Sequence, residues 1–216
     1  MKYKYVIWDF NGTIVDDTLL SLNSINKVLK KRSLPRLKGK EDLQKIFCFP
    51  VKEYYRKLGM DFSVEPYEIP ADEWVKEYTA GMFSCPLTDG IENILQKIDK
   101  SSTKQIILSA SEKDMMMSQL KRLGIADLFD EILGCDNVYA GGKAHIAAEW
   151  IEHMGREKVF PAVMIGDTDH DFDVAKTLGC DCVLYSGGFM SEERLRKFSV
   201  PVFGKFSEIE EYIFRQ

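Results

Sequence analysis

The sequence has little of several things that would assign it quickly. Nowhere do its 216 residues approach the roughly 18 consecutive apolar residues of a membrane-spanning helix. The opening Met1-Lys2-Tyr3-Lys4 carries no signal-peptide core. Basic residues are not in excess: 29 Lys+Arg stand against 34 Asp+Glu, a formal charge of −5. A nucleic-acid binder driven by counterion release has no surplus charge to work with, which excludes that class. The five cysteines, Cys48, Cys85, Cys135, Cys180 and Cys182, form no Cys-x-x-Cys pair, and His145, His153 and His170 do not complete a zinc site. Reduced thiols in a reducing cytosol are the expectation, and with it a cytoplasmic protein that engages neither membrane nor nucleic acid.

Core-forming material, by contrast, is ample. Hydrophobic residues make up 45% of the chain and aromatics 12%, enough to exclude wholesale disorder. The length suits one domain, or one domain carrying a sizeable insertion. Apolar and β-branched runs predict strands over 3–8, 105–108, 131–134, 162–165 and 182–185, each ending in a polar or glycine-containing turn. Amphipathic stretches over 90–98, 113–123, 144–154 and 172–178 alternate with them, the last three closing before Gly124, Gly155 and Gly179. The second of these is expected to be capped by Ser111 through a Ser-x-x-Asp pattern ending at Asp114. Strand–helix alternation of this kind indicates an α/β fold with a mostly parallel, Rossmann-like sheet. The stretch 16–87 breaks the alternation. It offers helical periodicity over 18–31, 41–47, 52–58 and 72–82, with Pro35, Pro50, Pro66 and Pro70 in the gaps, and no strand. An α-helical cap domain (16–87) inserted into an α/β core (1–15 and 88–216) is the simplest organisation.

In a parallel sheet, ligands bind beyond the carboxyl ends of the strands. Those positions carry Asp9, Asn11, Gly12 and Thr13 after the first strand, Ser109 and Ser111 after the second, and Gly166-Asp167-Thr168-Asp169-His170-Asp171 after the fourth. Lys143 follows the pair Gly141-Gly142 at a helix start. The acidic run does not complete a calcium loop, because Phe172 and Leu178 occupy the required glycine and glutamate positions. Gly142-Lys143 is not a P-loop, because Ala144 replaces its Ser/Thr.

Taken together and in order, these residues resemble the four motifs of the haloacid-dehalogenase-like hydrolase superfamily. The motifs are Val6-Ile7-Trp8-Asp9-Phe10-Asn11-Gly12-Thr13, Ile106-Ile107-Leu108-Ser109, Lys143, and Gly166-Asp167-x-x-x-Asp171. The helical insertion is similar to that of its phosphoglycolate-phosphatase-like members. The resemblance implies that Asp9 is a nucleophile forming an aspartyl-phosphate, and that Mg²⁺ is held by Asp9, Asp167 and the main-chain carbonyl of Asn11. It further implies that Gly12, Thr13, Ser109, Ala110 and Lys143 bind the phosphate of a small phosphorylated metabolite, with Asp171 orienting Lys143 or a bound water.

One position departs from the pattern. The family's phosphatases carry an acid/base aspartate two residues after the nucleophile, and here it is Asn11. An amide has no proton to give or take near neutral pH, and losing such a group costs about a hundredfold to ten-thousandfold in rate. Slow monoester turnover is therefore expected, and Asn11→Asp is expected to speed it. His170 or Asp169 could supply the proton instead. A metabolite binder without turnover remains an alternative, as does, further off, a dehalogenase or phosphonate-cleaving enzyme.

Overall fold

Two opposite apolar faces on every central strand determine the architecture. In the computed structural model, which describes residues 1–135 and 143–215, the elements follow in the order β1 (Tyr5–Trp8), α1 (Thr18–Lys31), α2 (Lys40–Ile46), α3 (Val51–Lys57), α4 (Glu68–Thr79), α5 (Ile91–Asp99), β2 (Lys104–Glu112), α6 (Lys113–Leu123), β3 (Glu131–Cys135), α7 (Ala144–Met154), α8 (Arg156–Val159), β4 (Ala162–Gly166), α9 (Asp169–Leu178), β5 (Asp181–Tyr185), α10 (Glu192–Leu195), β6 (Val202–Phe203) and α11 (Phe206–Arg215). Among the described residues the strands form one parallel sheet in the order β3-β2-β1-β4-β5-β6. Val6, Trp8, Ile107, Val163, Ile165 and Val183 pack on one face with α5, α6 and α11. Tyr5, Ile7, Ile106, Leu108, Met164 and Leu184 pack on the other with α7 and α9. Burial on both faces is why these strands read as continuous apolar runs rather than alternating ones.

The register places the chemistry. Trp8 lies opposite Ile107 of β2 and Ile165 of β4, so the residues that follow all three strands emerge at one level. β1 is also where the strand order switches direction, with β2 on one side and β4 on the other, and such a point opens a crevice at the carboxyl edge. The pairing of β2 with β3 shifts register between Leu108 and Glu112, so the Ser109–Ser111 segment departs from a regular ladder beside Asn11.

The predicted elements form, with shifted ends. α4 starts at Glu68 rather than 72, with Pro70 in its first turn, where no intrahelical N–H is required of it. α9 starts at Asp169 rather than 172. The cap of α6 is Glu112, whose carboxylate accepts from the Asp114 and Met115 amides. The cap expected from Ser111 is therefore corrected: β2 extends through Ser111, and its hydroxyl points elsewhere.

Between β1 and α5 lie α1 to α4 and no strand of the sheet. The segment leaves and returns at one place: Val15 bridges Leu87, Asp16 N–H donates to Pro86 O, and Thr88 N–H donates to Ile14 O. It has its own apolar cluster, built on Leu22, Ile25, Leu29, Leu43, Tyr54 and Tyr55, which also takes in Phe189 of the β5–α10 loop. Its far end is fastened to that loop and to α10 as well. Lys40 Nζ donates to Gly187 O, Gln44 Nε2 to Gly188 O, and the Arg194 guanidinium to the carbonyls of Gln44 and Phe47. No helix among the described residues is long and apolar enough to cross a membrane.

Candidate active site

Asp9 continues β1 by one residue, its N–H donating to Ile165 O of β4. Its side chain meets Lys143, which opens α7 and is 2% exposed. The ammonium bonds Oδ1 of Asp9 and Oδ1 of Asp171. Asp171 is itself fixed, its other oxygen accepting from the amides of Asp167 (3.1 Å) and Thr168 (2.9 Å) and from the Thr168 hydroxyl (2.7 Å). This is a capping box that starts α9 and aims a carboxylate at Lys143 in the same stroke. Asp167 accepts from the Thr13 hydroxyl at 2.9 Å and the Phe189 amide at 2.6 Å. Gly12 sits at φ +74°, where a Cβ would lie 2.6 Å from Asp167 Oδ2, so both its conformation and the space demand glycine.

Oxygens of Asp9, Asp167 and Asp171 lie within 4.8 Å of one another, all three residues buried. Among the described residues, Lys143 is the cation bonded to this group, so three carboxylates face one ammonium. Burial, with the Asp171 charge adding to it and Lys143 opposing, pushes Asp9 up to about 7. Asp167 is driven well above the carboxylate range by burial and then by its two acidic neighbours. Asp171 stays below the ordinary value although burial works against it, because Lys143 is bonded to it. Burial likewise disfavours the Lys143 ammonium, but Asp171 and Asp9 more than restore it. An all-oxygen donor set with surplus negative charge fits a hard divalent cation such as Mg²⁺.

A second network adjoins the first. Asn11 Nδ2 donates to Asp17 Oδ2 (2.7 Å) and to the Tyr78 hydroxyl (2.9 Å), and its Oδ1 accepts from the Ser111 hydroxyl. Tyr78, from α4, donates to the same Asp17 oxygen at 2.7 Å, and the Gly12 amide donates to Asp17 Oδ1 at 2.9 Å. Asp17 is buried, and burial raises it to about 6 against the pull of these donors.

Asp9, Lys143, Asp167 and Asp171 thus come together as the sequence predicts, and Ser109 lies buried alongside, its hydroxyl accepting from the Ser111 amide at 3.1 Å. The donors expected of Gly12 and Thr13 are engaged within the protein, with Asp17 and Asp167 respectively. Ala110 is part-buried on β2. The Gly141-Gly142 pair before Lys143 lies outside the described residues. His170 is stacked on Phe49 at 4.6 Å, and its Nε2 faces the Lys143 amide at 3.4 Å, with burial pushing the imidazole toward its neutral form. Asp169 has one buried oxygen without a hydrogen-bond partner. Sequence reasoning missed Asp17 and Tyr78. An acidic pair directly after the first motif was the available signal for Asp17, whereas nothing in the sequence ties Tyr78 to a site 67 residues away.

The raised carboxylates make a prediction about pH. Asp9 has an ordinary value of 3.8 in the unfolded chain and about 7 in the folded one, and Asp17 goes from 3.8 to about 6. Within those windows the folded protein holds the extra protons, so stability is lost as pH rises through them. The metal-free protein is expected to melt at a lower temperature at about pH 7.5 than at about pH 5, and Mg²⁺ is expected to raise the midpoint more at the higher pH. A flat or opposite profile in calorimetry would contradict the charge assignment.

Comparison with known proteins agrees with this arrangement. The family described as haloacid dehalogenase-like hydrolase matches residues 6–185. Tyrosine-protein kinase PtkA of Mycobacterium tuberculosis is 26% identical over 209 residues, covering 95% of this chain and 70% of that protein. Phosphoglycolate phosphatase of Caulobacter vibrioides is 23% identical over 195 residues, covering 87% and 81%. Among solved structures, the haloacid dehalogenase-like hydrolase SP0104 of Streptococcus pneumoniae superposes with a TM-score of 0.82 at 20% identity, over 98% of this chain and 99% of that one. A parallel sheet with the acidic cluster and lysine at the edge of its first and fourth strands is thus accounted for: the chain belongs to the haloacid dehalogenase-like hydrolase family.

Proposed function

We propose that this chain is a Mg²⁺-dependent phosphatase of a small phosphorylated metabolite, working through an aspartyl-phosphate on Asp9. The observation that carries the reading is the Asp9 carboxylate held against Lys143 and beside Asp167 at the switch point of the sheet. Asp9, Asp167 and the main-chain carbonyl of Asn11 would hold the metal. When bound, Mg²⁺ offsets the repulsion between a carboxylate and a phosphoryl group. Asp9 attacks phosphorus and the bond to the leaving oxygen breaks. Lys143 and the Ser109 hydroxyl bind phosphoryl oxygens, and Asp171 keeps the ammonium in place. The relatives' names cover a kinase and a phosphatase, and transfer of a phosphoryl group is common to both.

Helices α1 to α4 form the cap in this proposal, hinged where Val15 meets Leu87. Phe47 and Phe189, with ring centroids 4.9 Å apart, and Phe49 on His170 supply apolar cover that would exclude water on closure. Asn11 provides no proton to the leaving oxygen and removes none from the attacking water. Aryl and acyl phosphates, whose leaving groups need no proton, are therefore expected to load Asp9 faster than alkyl monoesters by about a hundredfold, with hydrolysis of the aspartyl-phosphate slow for all of them.

The test is a panel of phosphorylated metabolites assayed for released phosphate with Mg²⁺, using Asp9→Asn as the blank. Release that requires both Mg²⁺ and Asp9 supports the proposal. Release that persists in Asp9→Asn, or in chelator, overturns it.

A further inference from the structure

We propose that Asp17 is a positioning residue that fixes the Asn11 amide and dictates that residue 11 be an amide rather than an acid. The inference rests on the proposed reaction for its catalytic consequence and on geometry alone for the pairing. Asn11 has two chemically different ends, and each meets its complement. Its Nδ2 carries two hydrogens and finds two acceptors, Asp17 Oδ2 at 2.7 Å and the Tyr78 oxygen at 2.9 Å, while its Oδ1 faces the Ser111 hydroxyl. Asp17 offers only acceptors, and the Gly12 amide, the Tyr78 hydroxyl and Asn11 Nδ2 all donate to it. No atom in the ring of Asn11, Asp17 and Tyr78 faces its own kind. Asp17 is 1% exposed and Tyr78 3%, whereas Asn11 is half-buried, so an unmade bond at Asp17 or Tyr78 has close to its full cost.

A carboxylate at position 11 would put an acceptor-only oxygen against Asp17 Oδ2 at the same separation. Both ionised, the two could not satisfy each other, so one would be driven out of place or would have to keep a proton bound between them and be lost to acid–base work. The amide at 11 and the carboxylate at 17 are therefore a matched pair. Its Tyr78 arm comes from α4 of the helical insertion, so the orientation of Asn11 beside Asp9 is tied to that segment's being in place. The simple expectation that Asn11→Asp restores a fast phosphatase does not hold in this setting, because the restored acid arrives beside a second one.

The experiment is a cycle of wild type, Asn11→Asp, Asp17→Asn and the double variant Asn11→Asp/Asp17→Asn, read in kcat, KM and melting temperature with an alkyl and an aryl phosphate. Asn11→Asp alone is expected to lower the melting temperature by about 4 °C or more and not to raise kcat on the alkyl ester. Asp17→Asn is expected to lower kcat about tenfold with KM changed by less than about twofold, because it frees the amide without removing a binding group. The double variant exchanges donor and acceptor across the pair. It is expected to regain most of the lost melting temperature and to exceed wild-type kcat on the alkyl ester by about tenfold or more. Equal alkyl-ester kcat in Asn11→Asp and the double variant, with no melting penalty in the single, would overturn the inference, as would additive effects throughout. Absence of Asp9-dependent release from every member would sink the proposed function instead, and the melting temperatures would still decide the pairing: non-additive supports it, additive refutes it.

Discussion

Asp9→Asn is expected to lose phosphate release by about ten-thousandfold or more while the metal-free protein becomes more stable. An amide keeps the size of the side chain and an acceptor for Lys143, but it cannot bond covalently to phosphorus as a carboxylate does. It also removes one of the three acidic groups that crowd a single ammonium. Asp9 is held up at about 7, so near neutral pH its charge is borne only at a cost that the amide does not carry. Activity and stability should move in opposite directions, which is what distinguishes a reactive carboxylate from a structural one. Were Asp9 merely a turn-capping residue, the same substitution would lower the melting temperature and leave any release untouched.

Lys143→Ala is expected to destabilise the protein by about 3–5 kcal/mol, the usual cost of stranding buried partner charges. Asp171 suffers most. Its carboxyl lies below the ordinary range because of the Lys143 ammonium, against the pressure of burial, and the stability so gained is present above its unfolded value of 3.8 and lost with the lysine. The deficit should shrink as pH falls toward about 5, where the stranded carboxyls can take up protons, and a Lys143→Met variant should separate charge from packing by filling the space alone. A deficit that is independent of pH, or one that Met repairs, would show that Lys143 matters for its hydrocarbon stem and not for its charge.

Much of this was legible in the sequence because the informative residues are local. Each motif sits in a few consecutive residues at a strand end, and a strand buried on both faces announces itself as an apolar run, as at Val6-Ile7-Trp8 and Ala162-Val163-Met164-Ile165. What was not legible depends on tertiary contact. The two-residue β6 is too short to show a period. The start of α9 is hidden in the sequence because Asp169 and Asp171 fit the pattern of site residues and also form its first turn. Ser111 carried the signature of a cap, but the irregular end of β2 turns its hydroxyl to Asn11 and leaves capping to Glu112. Asn11 was visible as a departure and its cause was not, since the cause is a contact with Asp17 and with Tyr78 of another helix.

The same contacts reframe the departure itself. In the proposed phosphatase cycle an amide at position 11 would weaken proton transfer at both stages, and the second stage would suffer more when the leaving group needs no proton. With an activated aryl or acyl phosphate, Asp9 should be loaded readily and unloaded slowly. The measurement that bears most directly on the account is therefore intact-mass spectrometry of the Mg²⁺-loaded protein, quenched in acid after mixing with such a substrate, with the modified peptide then sequenced. A gain of one phosphoryl group on Asp9, absent from Asp9→Asn and longer-lived in the wild type than in the Asn11→Asp/Asp17→Asn variant, is the predicted result. Phosphate released with no adduct at any time, or an adduct on a different residue, would contradict it.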